Sequence, residues 1–436
     1  MRWISTRNKA ATATFREALF SGLAPDGGLY VPERIDPLPA AILEPLRGGS
    51  VADAGIAIAT HLIGGAIPRD AVASAMAAAL DFPIPLVTVG DVRALELFHG
   101  PTFAFKDVGA RVMARLMARC LQPGEALTVL VATSGDTGSA VAQAFTGLRG
   151  TRVVVLFPEG QVSAAQEAQF TTLGGNVRPL AVQGTFDDCQ AMVKAAFADP
   201  ALRPLRLTSG NSINVGRLLP QIFYYAWASL AGPAPGAATG DAPVTFSVPS
   251  GNFGNLTAGL IAKRLGFPIA RFIAATNVND AVPAYLASGV YAPRASVATV
   301  ANAMDVGAPS NFERIRSLYD GDVDRLRADV AGAAFEDGRV VAAIREVSGR
   351  HGYVLDPHSA IAWLGLQSAV RGPGCAIRGI FLATAHPAKF RETVEPAIGR
   401  PLELPRALRD ALAQPRHVTR IAPRHEELVR VLASDF

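Results

Sequence analysis

The chain has 436 residues, 50% of them hydrophobic and 18% charged, with a formal net charge of +4. This length suits two or three domains, and the composition excludes extended disorder. The basic excess is small and no Lys/Arg-rich run with interleaved aromatic residues occurs, so no nucleic-acid partner is expected.

Other broad features favour a cytoplasmic protein. The three cysteines, Cys120, Cys189 and Cys375, are far apart, which predicts neither a disulfide framework nor a structural zinc site. No histidine has the spacing of a metal ligand, so no metal is expected. The first residues lack the apolar core of a signal peptide, and no apolar run reaches the length of a membrane span.

Residues 1–90 predict a small N-terminal unit, in which Gly- and Pro-rich turns precede the helical stretches DAGIAIATHLIGGA and DAVASAMAAAL. Residues 91–436 predict a catalytic region of two α/β subdomains. Here apolar runs lead into polar turns and then into amphipathic helical patterns, as in LTVLVA, VTFSVP and GIFLAT, while RVVVLF and RFIAAT are further strand-like runs. This alternation predicts βαβ units and a largely parallel sheet. The Ala-, Gly- and Pro-rich stretch 231–243 predicts an exposed linker.

The carboxyl ends of parallel strands are where α/β proteins bind ligands. The polar turns after LTVLVA, VTFSVP and GIFLAT stand at such ends. We therefore expect these turns to converge on one ligand.

Lys106 follows two aromatic residues, Phe103 and Phe105, at the start of a helical pattern. Asp107 is suited to cap that helix. Schiff-base chemistry needs the neutral amine, and burial together with a helix N-terminus lowers the pKa of a lysine. The same features also fit a surface lysine at a helix start.

The turn after VTFSVP has the sequence SGNFGN and opens a helical pattern. Its glycines allow close backbone approach, and its N–H groups suit a phosphate. Because neither a Walker A motif nor G-x-G-x-x-G is present, a phosphorylated cofactor is favoured over a nucleotide. An ordinary strand-to-helix turn is the alternative. The candidate residues are Gly251, Asn252, Phe253, Gly254 and Asn255.

Three further segments carry candidate polar groups. The turn TSGDTG can hold a carboxylate through hydroxyl and N–H groups, although Asp136 also suits a plain helix cap. The hydroxyl of Thr384 can pair with a ring nitrogen, or bond locally at its strand end. Arg217 can clamp an anion with its planar fork, or face solvent.

Taken together, the motifs of nearly the whole chain resemble the threonine synthase family, in its long bacterial and fungal form. They occur in the family's order: FSGLAPDGGLYVP, HGPTFAFKD, ATSGDTGSAVAQAF, FTTLGGNV, NSINVGRLLPQ, SVPSGNFGNLTAG, RFIAATNVND, NAMDVGAPSNFER and LATAHPAKF. The resemblance implies a fold type II, tryptophan synthase β-like enzyme that depends on pyridoxal 5'-phosphate. Parallel or mixed sheets flanked by helices, with an extra N-terminal subdomain, are the expected architecture.

The resemblance also implies roles for individual residues. Lys106 is expected to bind the cofactor covalently and to act as the catalytic base, residues 251–255 to hold the cofactor phosphate, and Thr384 to meet the pyridine nitrogen. Asp136 is expected near the cofactor's phenolic oxygen, where related enzymes carry Asn. Substrate contacts are expected from Thr133, Ser134, Gly135, Thr137, Asn211, Ser212 and Arg217. Val215 and Gly216 depart from the bulkier residues often found there, so the pocket wall is expected to differ.

The implied reaction converts O-phospho-L-homoserine and water to L-threonine and phosphate. The expected partner is that small molecule, and the expected assembly a monomer or homodimer. Three alternatives stay open. They are a fold type II dehydratase or phospholyase releasing a keto acid, a binding protein that has lost catalysis, and a nucleotide-binding regulator.

Overall fold

The computed structural model describes residues 1–232, 242–369 and 378–434. In these ranges the strands, in chain order, are β1 Trp3–Ser5, β2 Thr12–Ala13, β3 Tyr30–Pro32, β4 Leu86–Val89, β5 Val92–Glu96, β6 Leu127–Ala132, β7 Thr151–Pro158, β8 Val177–Val182, β9 Leu207–Ser209, β10 Val244–Pro249, β11 Ile269–Thr276, β12 Val330–Ala334, β13 Arg378–Ala383 and β14 Thr419–Ile421.

The α-helices in the same ranges are α1 Phe15–Ser21, α2 Ala40–Leu43, α3 Val51–Ile63, α4 Arg69–Ala79, α5 Lys106–Cys120, α6 Asp136–Phe145, α7 Ala164–Thr171, α8 Phe186–Ala198, α9 Val215–Leu218, α10 Gln221–Leu230, α11 Gly254–Arg264, α12 Ala281–Ser288, α13 Phe312–Leu318, α14 Val323–Asp329, α15 Asp337–His351, α16 Pro357–Ala369, α17 Arg391–Ile398, α18 Arg406–Ala413 and α19 His425–Ala433. Short 3₁₀ helices span Glu44–Leu46, Pro200–Leu205, Asn302–Met304 and Pro387–Phe390.

Two large sheets contain the strands from β4 to β14. One has the strand order β14-β8-β7-β6-β9 and is parallel throughout. The other has the order β12-β11-β10-β13-β5-β4 and is parallel except for the pairing of β4 with β5. The interior strands β6, β10 and β13 are buried along their whole length, as expected for strands covered by helices on both faces. This confirms the predicted α/β fold with parallel and mixed sheets.

A third, antiparallel sheet, β2-β1-β3, lies in the N-terminal part of the chain. Helix α3 begins with a capping box between Ser50 and Asp53 and ends at Gly64, which has φ 64°. It packs on α10, and α4 packs on α5. Strand β4 precedes residue 90 but belongs to the six-stranded sheet, so the elements specific to the N-terminal unit end with α4 at Ala79.

Helix α5 packs against the N-terminal helix α4 on one side and against α6 and α9 on the other. The side chains predicted to share one face, Val108, Val112 and Leu116, are all fully buried. Gly109, on the same helix, faces Arg217, whose Nε lies 3.1 Å from where a Cβ would stand. The absence of a side chain at Gly109 thus lets α5 and α9 approach closely.

The predictions on the linker and the cysteines can be compared with the structure only in part. The linker predicted at 231–243 falls mostly outside the described residues, as does Cys375. Cys120 and Cys189 are buried free thiols. Within the described ranges, no helix combines the length and apolarity needed to cross a bilayer, and no cluster of His, Cys, Asp or Glu is arranged to hold a metal ion.

Candidate active site

Loops from the carboxyl ends of both large sheets meet at one place. The N–H of Phe105 donates to the carbonyl oxygen of Thr384, just after β13, at 2.8 Å. Asn252, after β10, donates through Nδ2 to the hydroxyl of Ser212, after β9, at 2.9 Å. Nζ of Lys389, five residues after Thr384, lies 2.5 Å from Oδ1 of Asp136 in the turn after β6. The three polar turns predicted to converge therefore meet where the two sheets adjoin.

Lys106 is the first residue of α5, as the sequence predicts, but its helix is not capped by Asp107. The N-cap residue is Phe105, without a side-chain cap. The carboxylate of Asp107 is fully buried and accepts instead from the N–H of Thr102 at 2.9 Å and from its hydroxyl at 2.6 Å. The capping prediction is wrong because Thr102 offers two donors to one buried carboxylate.

The surroundings of Lys106 favour its neutral amine. Burial lowers the pKa of Lys106 to about 8, while the Asp136 carboxylate acts in the opposite direction, and the positive charges of Arg217 and Lys389 lower it further. A lysine with that pKa has a substantial neutral fraction near physiological pH. It can act both as a nucleophile and as a base.

The loop after β10 presents backbone donors. Among the described residues, none of the N–H groups from Gly251 to Asn255 donates to a protein acceptor, and they end in the N-terminus of α11, where anions bind favourably. The left-handed residue of this loop is Phe253, with φ 61°, not one of the glycines. Gly251 is required for close approach instead, because a Cβ there would lie 2.8 Å from the backbone of Ala303 and Met304.

The two asparagines of this loop have different surroundings. Asn252 uses both ends of its amide, since its Oδ1 accepts from the N–H of Ser310 at 2.5 Å. The Oδ1 of Asn255 accepts from the hydroxyls of Tyr224 at 2.5 Å and Tyr225 at 2.8 Å. Its buried Nδ2 has no partner among the described residues, so it is a donor left for a ligand.

Thr133 organises the loop between β6 and α6. Its hydroxyl accepts from the N–H groups of Gly135 at 2.9 Å and Gly138 at 2.8 Å, which fixes the turn. The hydroxyls of Ser134 and Thr137 are partly exposed and have no hydrogen-bond partner among the described residues. They are the free donors of this loop.

Asp136 is the first residue of α6, and Gly135, with φ 140°, is the N-cap. Its Oδ1 lies 2.5 Å from Nζ of Lys389 and accepts from Nε2 of Gln166 at 2.9 Å. Burial opposes its ionisation, but the charges of Lys389 and Lys106 and these hydrogen bonds outweigh that effect and hold the pKa of Asp136 well below its usual range. Asp136 is therefore a carboxylate.

Asn211 and Ser212 occupy the turn after β9. The amide of Asn211 bonds both backbone groups of Ala132, with Nδ2 to O at 2.8 Å and N to Oδ1 at 3.2 Å, which leaves one Nδ2 hydrogen. The hydroxyl of Ser212 accepts from Asn252 and from Asn311 at 3.1 Å. With both lone pairs occupied, Ser212 can direct its proton to a ligand.

Arg217 is a buried cation that pairs with no carboxylate in the part of the chain that the structure describes. It is 3% exposed, it donates to the carbonyl of Gly210 at 2.6 Å, and its Nε has no hydrogen-bond partner among the described residues. Burial lowers the pKa of Arg217 to about 10, against the raising effect of the Asp107 charge, so the guanidinium remains charged near neutral pH. An anion is the natural complement of such a group.

Gly216 is fixed by packing. A Cβ there would lie 2.5 Å from Leu19 and 2.8 Å from Met113. Val215 beside it is fully buried. Larger residues at position 216 would therefore collide with α1 and α5.

Two buried cations in this region were not found from the sequence. Lys389 lies five residues after Thr384, in the same LATAHPAKF motif, and that proximity was the available signal. Arg314 is fully buried and donates to backbone oxygens of Tyr30, Ser212 and Ile213. Its position within NAMDVGAPSNFER was the only sequence signal, because its acceptors are distant in the chain.

Comparisons with known proteins find relatives over nearly the whole chain. The family description "Pyridoxal-phosphate dependent enzyme" matches residues 90–374, "Threonine synthase N terminus" matches 2–80, and "Threonine synthase, C-terminal" matches 359–432. The threonine synthase of Serratia marcescens is 44% identical over 94% of this chain and 93% of its own length. The threonine synthase crystal structure from Escherichia coli has a TM-score of 0.91 at 40% identity and covers 99% of both chains. A structure described as PLP-bound threonine synthase from Brucella melitensis has a TM-score of 0.91 at 37% identity, and the match covers 99% of this chain and 98% of that one.

The fold, Lys106 with its lowered pKa and the phosphate-type loop after β10 define a pyridoxal-phosphate-dependent enzyme of fold type II. Many activities share this fold, so the narrower assignment depends on the matches that extend over both ends of the chain. The chain belongs to the threonine synthase family.

Proposed function

We propose that this protein converts O-phospho-L-homoserine and water to L-threonine and phosphate by β,γ-elimination and replacement, the last step of threonine biosynthesis. The observation that carries the proposal is the buried guanidinium of Arg217. Its Nε has no hydrogen-bond partner within the described ranges, and its charge acts on Lys106. A substrate phosphate bound there would lie close to the amine that moves protons. The threonine synthases to which the chain is similar support the same reaction.

The residues present fit pyridoxal phosphate. We assign covalent attachment to Lys106, phosphate binding to the unpaired N–H groups of residues 251–255 and to Nδ2 of Asn255, and a contact with the ring nitrogen to Thr384. The Thr384 hydroxyl has no hydrogen-bond partner among the described residues. Bound in this site, the cofactor supplies an electron sink for the carbanion formed at Cα. A neutral hydroxyl at the ring nitrogen does not enforce its protonation.

Lys106 is proposed to remove the proton from the substrate's Cα. A pKa of about 8 suits this task, because a base works best when its pKa is near the operating pH. Helix α5 fixes the backbone of Lys106. The side chain of the next residue, Asp107, is held by Thr102 and therefore does not compete for the amine.

Two loops are proposed to bind the two anionic ends of the substrate. Ser134, Thr137 and the backbone of Gly135 would receive the α-carboxylate, with Thr133 shaping the turn. Ser212, Arg217 and the remaining Nδ2 hydrogen of Asn211 would receive the phosphate, since each offers a donor without a protein acceptor. Holding both ends fixes Cα against Lys106, which favours reaction by orientation.

The first experiment incubates the full chain, reconstituted with pyridoxal phosphate, with O-phospho-L-homoserine. Released phosphate and the amino-acid product are measured together, and L-homoserine, which lacks the phosphate, is the matched control. Equal amounts of phosphate and threonine are expected. Release of phosphate together with a keto acid would instead identify a phospholyase. The absence of both products would contradict the substrate assignment.

We further propose a cytoplasmic enzyme that is a monomer or a homodimer. The buried free thiols of Cys120 and Cys189 are compatible with a reducing compartment. Light scattering of the purified protein distinguishes the two assembly states.

A further inference from the structure

A second lysine lies in the site without a part in the proposed reaction. Lys389 is 1% exposed and belongs to the 3₁₀ helix Pro387–Phe390. Its Nζ lies 2.5 Å from Oδ1 of Asp136 and donates to the carbonyl of Thr102 at 2.8 Å. A buried ammonium is expensive to desolvate, so such a pair is retained only where it is well bonded.

Both partners of Lys389 belong to segments that surround Lys106. Thr102 also holds the carboxylate of Asp107, the residue that follows Lys106. Asp136 begins α6, and its charge acts on the Lys106 amine. One ammonium group therefore connects the segment before α5, the start of α6 and the segment that carries Thr384.

Helix α7 fixes the same two acceptors with neutral donors. Nε2 of Gln166 donates to Oδ1 of Asp136 at 2.9 Å, and Nε2 of Gln169 donates to the carbonyl of Thr102 at 3.1 Å. Gly135 leaves space for this contact, since a Cβ there would lie 2.5 Å from the amide carbon of Gln166. The Asp136 carboxylate is thus held in place from two sides.

We propose that Lys389 is a positioning residue for Lys106: it neutralises the Asp136 carboxylate and keeps it from pairing with the Lys106 amine, so that this amine stays free for the cofactor. The buried pair of Asp136 and Lys389 then serves electrostatically as one neutral polar group. This inference rests on the proposed role of Lys106.

The charges around the two lysines fix the direction of the effect. The groups that act on Lys106 are Asp136, Arg217 and Lys389. Those on which the Lys389 charge acts are Lys106, Asp107, Asp136 and His386. Removal of Lys389 takes away a positive charge and leaves Asp136 without its partner. Both changes stabilise the ammonium form of Lys106, so its pKa rises.

The test measures the reactivity of Lys106 directly, in the full chain freed of cofactor. A limiting amine-specific reagent is applied between pH 6 and 10, and modification of Lys106 is followed by peptide mass spectrometry. In Lys389→Met the profile is expected to move up by about one pH unit, the size of a nearby buried charge effect. Lys263→Met is the matched control, because Lys263 also bonds a carboxylate, Asp329, at 2.6 Å and a carbonyl, that of Ala270, at 2.6 Å. It should leave the profile unchanged.

The same comparison in the Asp136→Asn protein provides a test in case Lys389→Met alone does not fold. Asp136→Asn should move the profile down, and adding Lys389→Met to it should move the profile back up. The proposal would be overturned if loss of Lys389 left the pH profile of Lys106 modification unchanged, in the wild-type or in the Asp136→Asn protein, whichever variant folds. An equal shift in Lys263→Met would also overturn it. The readout is independent of turnover, so failure of the phosphate-release assay would be a separate result.

Discussion

The N–H of Phe105 and the carbonyl oxygen of Thr384 form a 2.8 Å hydrogen bond that joins the start of α5 to the end of β13. The contact continues on both sides, since Ala104 and Ala385 form an antiparallel bridge and the N–H of His386 donates to the carbonyl of Phe103 at 3.0 Å. The proposed attachment point of the cofactor and the proposed partner of its ring nitrogen thus share one backbone frame. Their spacing is set before any ligand binds.

Replacement of Lys106 tests its proposed roles as the attachment point of the cofactor and as the base. Lys106→Ala should remove covalent attachment of the cofactor and lower phosphate release at least about a thousandfold, because both the nucleophile and the base are lost. The absorbance of bound cofactor and the release of phosphate are measured on the same sample. Full activity in this variant, with Lys263→Ala as the unaffected reference, would exclude the assignment.

The pH dependence of cofactor attachment should follow the ionisation of Lys106. Attachment needs the neutral amine, which exists above the pKa, so the rate should rise with pH and level off above about pH 8. Stopped-flow absorbance after mixing the cofactor-free chain with pyridoxal phosphate measures this rate. A rate that still increases tenfold per pH unit near pH 9.5 would show that the pKa of Lys106 is that of an ordinary lysine.

Arg217 should matter for the substrate more than for the fold. Arg217→Met should lower kcat/KM for O-phospho-L-homoserine by about 10- to 100-fold, the loss expected for a charged hydrogen bond. The free energy of unfolding should fall by only about 1 kcal/mol, because the donor lost to one buried carbonyl, that of Gly210, is partly offset by the removal of a buried charge that is costly to desolvate. Kinetics and urea denaturation are measured on one preparation, and an unchanged kcat/KM would refute the anchor.

Arg314 should show the opposite behaviour. It satisfies backbone oxygens of Tyr30 at 2.9 Å and Ser212 at 3.1 Å and the side chain of Asn311 at 2.5 Å. Arg314→Met leaves these buried acceptors without donors and should cost at least about 3 kcal/mol of unfolding free energy. Urea denaturation beside Arg217→Met provides the comparison, and equal stability of the two variants would count against this account.

The proposed phosphate loop, residues 251–255, contains two glycines whose replacement by alanine should have different effects. Gly251→Ala places a Cβ 2.8 Å from the backbone of Ala303 and Met304, which cannot move aside cheaply, and should weaken cofactor affinity at least about tenfold. Gly254→Ala meets side chains only, those of Asn311 at 3.3 Å and Ser212 at 3.4 Å, and should have an effect below about threefold. Fluorescence titration with pyridoxal phosphate ranks the two, and the reverse order would mean that the loop is adaptable.

Much of the architecture follows from local sequence signals. Apolar runs such as LTVLVA and VTFSVP become β6 and β10, and the helix that starts at Lys106 has its predicted buried face. These features depend on periodicity and on turn residues next to one another in the chain. The same local rules predicted the cap at Asp107 wrongly, because a long-range choice, burial against Thr102, decided where the carboxylate went.

The candidate site was predictable only to the extent that each residue stands in a recognisable turn. Lys106 and Thr384 stand at element ends, where chemistry in α/β folds is expected. Lys389 and Arg314 do not, and their significance arises from partners far away in the chain, Asp136 and Tyr30. Charge pairing between distant segments leaves no periodic signature in a single sequence.

The bond from Arg314 to the carbonyl of Tyr30 bears on how such a chain can be recombined. Tyr30 begins β3, in the N-terminal sheet, whereas Arg314 also holds Ser212 in the catalytic region. Consider a chimera in which a foreign N-terminal unit replaces the residues up to Ala79. That unit would have to place a main-chain oxygen where the carbonyl of Tyr30 lies. Otherwise a buried guanidinium N–H of Arg314 would be left unpaired beside the phosphate loops. The strand β3 and the arginine are therefore expected to be inherited together, and the N-terminal unit acts as part of the catalytic scaffold and not as an exchangeable module.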